Sequence, residues 1–132
     1  MTEEKKDFFV SDISLSYQYT AGNATTRFLN KVAEGKLVAQ KCPKCSAVYV
    51  PPRGSCPRCG VATEEELELP DTGAVESFTI VHIPIPGNPI VPPYVSAMIR
   101  LDGADISFLH LIQEIDLADI RIGMRVQAVW KD

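Results

Sequence analysis

Two Cys-x-x-Cys pairs constrain this chain more than any other feature. The pairs are Cys42/Cys45 and Cys56/Cys59, and ten residues separate them. Each pair offers two thiolates from one tight turn, so two facing turns form a four-sulfur cage with metal–sulfur bonds of about 2.3 Å. A closed cage has no open coordination position for a substrate. The spacing therefore predicts a structural metal bound by all four cysteines.

The expected metal is zinc, and iron in a rubredoxin-like cage is the alternative because four thiolates do not distinguish the two ions. Disulfides are a poorer explanation, since a bridge within Cys-x-x-Cys is usually redox-active and the chain lacks the βαβ pattern of such proteins. Pro43 and Pro57 fix φ in each turn, and Gly60 follows the second pair where Ser46 follows the first. The two turns are therefore expected to be similar but not identical.

The length and composition predict a small globular protein. The chain has 132 residues, of which 45% are hydrophobic, and no apolar run approaches the roughly 20 residues of a membrane span. Its first residues mix acids with lysines and precede no apolar block, so we expect no secretory signal. Reduced, metal-binding cysteines predict a cytoplasmic protein.

The charge distribution is uneven, although the net charge is only −4. Residues 27–58 carry seven basic side chains and one acid, whereas residues 59–132 carry four basic side chains and twelve acids. One explanation is that the basic side chains offset the −2 charge of a zinc tetrathiolate. The other is a basic face for phosphates of a nucleotide, a coenzyme or a nucleic acid.

Hydrophobic periodicity predicts a strand and a helix before the cysteines. Residues 13–19 alternate apolar and polar side chains, which predicts a half-buried strand that pairs with its own sheet or with a partner. Residues 25–34 predict a helix capped by Asn23 or Thr25 and ended by Gly35. Its apolar stripe would dock on the core or on a partner. That stripe consists of Phe28, Leu29 and Val32.

The remaining patterns are those of β structure. Residues 36–41 and 47–50 predict strands on either side of the first cysteine turn, which is the arrangement of a zinc ribbon. An Asp102-Gly103 hairpin lies in the second half of the chain, where the strand pattern fits a small OB-type β-barrel. The strands expected in that half are 63–69, 74–83, 94–101, 104–111 and 124–130. We therefore expect a mainly β fold with three parts: an N-terminal strand and helix (1–35), a ribbon (36–62) and a barrel (63–132).

A stiff apolar loop separates the first two long barrel strands. Residues 84–93 hold five of the ten prolines together with three branched aliphatic residues. Stiff loops lose little entropy when they are covered, which favours contact with a partner. The alternative is a loop that caps its own barrel. The residues proposed for partner contact are Pro86, Pro89, Ile90 and Pro92.

No catalytic residues are predicted. His82 and His110 each alternate with apolar neighbours, which is typical of satisfied histidines inside a barrel. No Ser-His-Asp order, Gly-rich phosphate loop or paired carboxylates are present in the sequence. A free-standing enzyme with this sequence would therefore lack a visible nucleophile.

With ribbon and barrel in this order, the sequence resembles a family of rubredoxin-like zinc-ribbon plus OB-fold proteins that was long catalogued as a domain of unknown function. The resemblance rests on Gly35-Lys36-Leu37, the QKCPKC and PPRGSCPRCG segments, GAVESFTIVH and IGMRV. Family members are associated with thiolases and other acyl-CoA enzymes. The segment ISLSYQYTAG and the proline-rich loop resemble the branch linked to lipid and steroid side-chain degradation.

The resemblance implies an accessory subunit without catalytic residues of its own. It would join a thiolase-like or aldolase subunit in a hetero-oligomer, with acyl-CoA at or near the interface. Lys44, Arg53 and Arg58 are the candidates for contact with coenzyme A phosphates or with the partner. The alternative function is nucleic-acid binding, which ribbons and OB barrels also perform. The acidic second half and its few aromatic residues argue against that alternative.

Overall fold

One helix and two antiparallel sheets make up this protein, for which the computed structural model describes residues 8–131. The ribbon sheet has the strand order β2-β1-β3, and the barrel sheet has the order β6-β5-β4-β7. The elements in chain order are α1 (Asn23–Ala33), β1 (Leu37–Lys41), β2 (Val48–Tyr49), β3 (Glu65–Leu69), β4 (Thr72–Val81), β5 (Tyr94–Leu101), β6 (Phe108–Ile112) and β7 (Arg125–Gln127).

Helix α1 begins earlier than expected and without a side-chain cap. Gly22 occupies the N-cap position with φ 78°, so the predicted caps Asn23 and Thr25 lie inside the helix and do not cap it. The predicted stop at Gly35 is confirmed, because Gly35 adopts φ 74° and its N–H donates to the carbonyl of Val32 at 2.9 Å.

The buried side of α1 is narrower than its sequence stripe. Phe28 and Val32 pack against the core beside the ribbon sheet. Leu29 is more than half exposed and takes no part in that core. The stripe therefore docks on the chain's own core through two of its three members.

The ribbon sheet shares its core with the barrel sheet. Leu37 and Ala39 of β1 and Leu69 of β3 belong to one buried cluster with Leu101 and Ala104, which lie at and beyond the end of β5. Strand β3 pairs with β1 along all five residues, although it follows the proposed boundary at residue 62. The three-part division of the chain stays a prediction.

The barrel sheet is built on the long pair β4 and β5. Its inner face carries Val75, Val95 and Ala97. The predicted strand 94–101 is confirmed, whereas β4 and β7 are Thr72–Val81 and Arg125–Gln127 rather than 74–83 and 124–130. Within residues 8–131 the sheet does not close into a barrel, and its antiparallel order is of the OB type.

The predicted Asp102-Gly103 hairpin is wrong in its details. Strands β5 and β6 do pair, but β6 starts at Phe108 rather than at residue 104. The cause is Asp105, whose backbone N–H donates to the Val48 carbonyl at 3.0 Å and whose Oδ2 accepts from the Val48 N–H at 2.8 Å. This pair of hydrogen bonds joins the ribbon to the barrel sheet and holds the connection away from strand geometry.

Residues 8–21, named here the arm, form no helix or strand. The strand expected at 13–19 is therefore not formed within the described part of the chain. Its apolar side chains are exposed rather than half-buried, because no strand of the two sheets pairs with it. Periodicity identified a strand-competent segment but could not identify a partner for it.

Asp102 fastens the start of β4 to β7. Its carboxylate accepts from the Thr72 hydroxyl at 2.6 Å and from the Arg125 guanidinium, with one contact at 2.7 Å. The hydrogen bond from Arg125, and to a lesser extent that from Thr72, holds the pKa of Asp102 well below the ordinary carboxyl value. The carboxylate therefore does more than initiate a turn.

We expect Asp102→Asn to lower the melting temperature by a few degrees at neutral pH. A lowered folded-state pKa contributes stability above the unfolded pKa of about 4, and this contribution is lost as pH falls toward the folded value. The difference between the variant and the parent should therefore be constant from about pH 7 to 5 and shrink below about pH 4. Both proteins keep the same four cysteines, so acid release of metal affects them alike. A difference that grows in acid would contradict the assignment.

Candidate functional site

The four cysteine sulfurs come together as the spacing predicts. The ligand atoms of Cys42, Cys45, Cys56 and Cys59 all lie within 4.8 Å of one another. Cys45 Sγ and Cys56 Sγ are 3.7 Å apart, and a tetrahedron with bonds of about 2.3 Å requires edges of about 3.8 Å. The cluster thus has the dimensions of a closed four-thiolate metal site.

The two cysteine turns have the same backbone geometry. The Cys42 N–H donates to the Ala47 carbonyl at 2.9 Å, and the Cys56 N–H donates to the Val61 carbonyl at 2.8 Å. Ser46 adopts φ 62°, close to the φ 66° of its counterpart Gly60. Ser46 therefore accepts a left-handed conformation that glycine adopts more easily, and the difference in sequence does not change the turn.

Burial is uneven within the cluster. Cys42 and Cys56 are buried, Cys59 is half-buried and Cys45 is exposed. The backbone N–H groups of Lys44 and Cys45 each approach Cys42 Sγ at 3.4 Å. Such N–H donors stabilise a thiolate, as a metal ligand requires.

Tyr49 is a site residue that the sequence did not reveal. Its buried hydroxyl lies 3.3 Å from Cys56 Sγ. This hydrogen bond, followed by those from the backbone of Cys59 and Arg58, lowers the pKa of Cys56 to about 6. The same contact, together with burial, raises the pKa of Tyr49 to about 12. An aromatic residue seven positions before a cysteine carries no recognised signal of such a contact.

Cys59 shows why the cluster suits a cation. Burial and the neighbouring sulfurs raise the pKa of the Cys59 thiol to about 12. Four adjacent thiolates repel one another, and a bound divalent cation removes that penalty by compensating their charge. The residues therefore fit a metal both in distance and in electrostatics.

Two of the three predicted phosphate-binding candidates share one surface. Arg53 and Arg58 line an open depression of about 500 Å³ beside Cys45 and Tyr49. The Arg53 guanidinium lies 5.9 Å from the centroid of the Tyr49 ring, within cation–π range. Lys44 is exposed on the first cysteine turn and does not line this depression.

A second depression of about 390 Å³ adjoins the first through Arg53. Its lining includes Gly22 and Asn23 at the start of α1, together with Gly54 and Ser55. Arg53 is therefore exposed between the helix start and the second cysteine turn.

The rest of the basic segment is partly neutralised within the chain. Arg27 pairs with Glu66 at 3.1 Å, and Lys36 approaches Glu68 at 3.9 Å. Both acids lie on β3, which sequence counting assigned to the acidic half. Basic side chains of α1 and of the residue before β1 thus meet acids on β3, and residues 27–58 do not form one continuous basic face.

The proline-rich loop is partly turned inward and partly exposed. Pro86 and Pro89 are exposed, whereas Ile90 and Pro92 are half-buried. Asn88 braces the loop, because its Oδ1 accepts from the Ile90 N–H at 3.0 Å and its Nδ2 donates to the Tyr94 hydroxyl at 3.3 Å. The exposed aliphatic residues are Ile85 and Val91 within the loop and Ile83 just before it.

The expectation of two interior histidines is wrong. His82 follows the end of β4 and His110 lies on the edge strand β6, and both are exposed. His110 makes an edge-on contact with Phe108, whose ring centroid lies 6.0 Å away. Alternation alone did not show that β6 is an edge strand with an uncovered side.

Two family models match consecutive parts of the chain. Residues 30–65 match the ChsH2 rubredoxin-like zinc ribbon domain, and residues 66–131 match the ChsH2 C-terminal OB-fold domain. The chain belongs to this ChsH2 family. The predicted combination of ribbon and OB-type fold is thereby confirmed.

Curated relatives agree with the family. A DUF35 domain-containing scaffold protein of Methanocaldococcus jannaschii is 37% identical over 97 residues, which are 72% of this chain and 67% of that protein. A probable enoyl-CoA hydratase alpha subunit of Thermomonospora curvata is 34% identical over 95 residues, which are 72% of this chain. The match spans only 29% of the length of the hydratase subunit.

Solved structures share the fold. A DUF35 family protein of unknown function from Sulfolobus solfataricus is 29% identical with a TM-score of 0.64, over 77% of this chain and 74% of that one. The Ltp2-ChsH2(DUF35) aldolase is also 29% identical, with a TM-score of 0.69, over 81% of this chain and 83% of that one. No helix within residues 8–131 is long and apolar enough to cross a membrane.

Proposed function

We propose that this chain is a non-catalytic accessory subunit that docks on a thiolase-like or aldolase subunit of an acyl-CoA-processing complex. The observation that carries the proposal is the similarity to the Ltp2-ChsH2(DUF35) aldolase over most of both chains. The scaffold-protein description of the Methanocaldococcus jannaschii relative supports the same role. The subunit would act in the cytoplasm, where thiolates stay reduced.

The metal in this proposal is zinc, held by Cys42, Cys45, Cys56 and Cys59. A closed site of this kind stabilises the fold and leaves chemistry to the partner. Iron remains the alternative ion, because the ligand set accepts both. Metal analysis of the protein purified without added metal distinguishes them.

The CoA-binding part of the proposal rests on the surface beside the cysteine cluster. Arg53 and Arg58 lie on one open depression, and their guanidinium groups are suited to bidentate contact with phosphates. The partner would supply the reacting groups, and these arginines would hold the nucleotide end of an acyl-CoA at the interface. Lys44 lies outside the depression and is the weaker candidate.

The proline-rich loop is the second proposed contact with the partner. Its exposed members include Pro86, Pro89 and Val91, and its fixed conformation reduces the entropy lost on docking. The finer assignment to lipid or steroid side-chain degradation is also a proposal. It is supported by the resemblance of ISLSYQYTAG and of this loop to that branch.

Co-expression with a thiolase-like or aldolase subunit from the same organism tests the proposal. We expect a stable hetero-oligomer in size-exclusion chromatography, with one zinc ion per copy of this chain by metal analysis. If this chain is recovered alone at every ratio of the two expressed subunits, that result would count against an accessory role.

Replacing both Arg53 and Arg58 with alanine should weaken CoA binding to that complex by about 10-fold or more, because charge-assisted contacts to phosphate are lost. Arg121→Ala is the matched control, since Arg121 is exposed outside the depression. Isothermal titration with CoA and with a CoA lacking its 3′-phosphate separates phosphate contact from general charge. Equal affinity of the double variant and the control would remove these arginines from the site.

The nucleic-acid alternative has less support. Of the basic residues near the ribbon, Arg27 and Lys36 lie in ion pairs with Glu66 and Glu68. Sequence-tolerant binding of single strands needs a basic groove with stacking aromatics. The barrel half instead carries twelve acids and four basic residues.

A further inference from the structure

The arm is amphipathic in the manner of an edge strand. Its odd-numbered positions carry Ile13, Leu15, Tyr17 and Tyr19, which are 76–84% exposed. The even-numbered positions from 12 to 20 carry only polar side chains. Period-2 alternation with one charge, no proline and no glycine over positions 12–20 suits a β-strand that buries one face.

The backbone of the arm has no partner within the described chain. Among the backbone hydrogen bonds of residues 8–131, none involves residues 8–21. The matched family models begin at residue 30, so the arm lies outside the matched ribbon and OB-fold. Four exposed large apolar side chains on an unbonded backbone gain both burial and hydrogen bonds by joining a sheet edge.

Four strands of the described chain end a sheet, and one of them offers a suitable edge. Strands β2 and β7 have two and three residues, and β3 carries Glu65, Glu66 and Glu68. Strand β6 is five residues long and uncharged, and it ends the barrel sheet. Long uncharged edges tend to pair with another strand unless they are covered.

The outer face of β6 is apolar as well. Leu109 is 65% exposed and Leu111 is half-buried, and both point away from the core that Phe108 and Ile112 join. Leu109 pairs with Met98 on β5, so this face continues onto the next strand. A strand added beside β6 would thus find apolar neighbours on its own apolar side.

We propose that the arm of one chain adds a strand to the β6 edge of a second copy, in a two-fold symmetric exchange. The four odd-numbered side chains would continue the face that carries Leu109 and Leu111. The arm does not pair with its own β6, which leaves this contact to be made between copies. An isologous exchange uses each arm and each edge once, which doubles the area buried by one arm and leaves neither element open to further association.

This proposal is independent of the accessory role, because it concerns only copies of this chain. The test is sedimentation analysis of the purified, metal-loaded full chain over a wide range of concentration. A dimer that dissociates on dilution is expected. If the chain stays monomeric at every concentration, the proposal is overturned. This holds whether the arm amides of that monomer exchange quickly or slowly with solvent hydrogen.

Variants on both elements make the test specific. Leu15→Asp with Tyr17→Asp, and separately Leu109→Asp, should each raise the dimer dissociation constant by about 100-fold or more, since large exposed apolar groups would otherwise be buried. These side chains are exposed in the single chain, so its folding and metal content should not change. Ser14→Asp with Ser16→Asp is the matched control on the polar face and should leave the dimer intact.

Hydrogen exchange identifies the acceptor edge. The outward amides of residues 108–112 should exchange slowly in the dimer and faster after removal of residues 1–20. A dimer that survives this truncation, or that tolerates aspartate at positions 15 and 17, would assign the interface to another surface. Arm variants that lose the thiolase-like partner but keep the dimer would make the arm a contact for that partner, and would also overturn the exchange.

Discussion

Replacing Cys56 with serine is expected to remove the bound metal and to unfold the ribbon. Cys56 is 1% exposed, and its sulfur lies near those of the other three cysteines and near the Tyr49 hydroxyl. A serine hydroxyl does not become an anionic ligand at neutral pH, and it leaves a buried polar group at the centre of the cluster.

The size of the effect follows from the binding energy. Structural zinc in small domains contributes roughly 10–16 kcal/mol at neutral pH, and whole domains are stable by only about 5–15 kcal/mol. Losing one of four ligands should therefore be enough to abolish the native ribbon. The residual three-thiolate cluster would bind metal weakly and release it to a chelator.

Metal content by mass spectrometry and far-ultraviolet circular dichroism before and after chelation check this result. Ser55→Ala is the matched control, because Ser55 is an exposed neighbour whose pairing with Ala62 is through the backbone. The control should keep one metal per chain. A Cys56→Ser protein with full metal and an unchanged spectrum would show that the four sulfurs are not the ligands.

Gly73→Ala should strongly destabilise the barrel sheet. A Cβ at this position would lie 2.5 Å from the carbonyl oxygen of Arg100 and 3.1 Å from Cα of Leu101. Both atoms belong to the backbone of β5, which is paired with β4 at Gly73, so no side-chain rotation relieves the clash. The strands must separate, at a cost of about 2–3 kcal/mol or more.

For a chain of this length such a loss should lower the melting temperature by about 5–10 °C. Thermal unfolding followed by circular dichroism measures it in the metal-loaded protein. Ser77→Ala serves as the control, because Ser77 lies on the same strand with an exposed side chain. Equal melting temperatures for the two variants would mean that β4 and β5 are farther apart at this point.

Local signals predicted the fold where sequence neighbours decide the structure. Two cysteines three residues apart form one turn whatever surrounds them, so the cluster was predictable from the positions of Cys42, Cys45, Cys56 and Cys59. The end of α1 just before Gly35 was predictable for the same reason, because a left-handed residue stops a helix locally.

Contacts between distant segments were not predictable in this way. Asp105 binds Val48 across 57 positions, and Arg27 binds Glu66 on a strand from the other half of the sequence. The first contact displaced the expected hairpin, and the second changed the expected basic face. Tyr49 was missed because a tyrosine in a short strand looks like ordinary core until its hydroxyl is found beside a sulfur.

The hydrogen bonds between Asp105 and Val48 couple the ribbon to the barrel sheet. The common core of Leu37, Leu69 and Leu101 couples them as well. Two segments that share their interior melt as one cooperative unit, so a calorimetric scan should show a single peak. In a cell short of the metal that the four cysteines bind, the whole polypeptide would then unfold and be degraded, and no folded OB half with an unfolded ribbon would remain. Supply of the metal would in this way set how many copies survive synthesis.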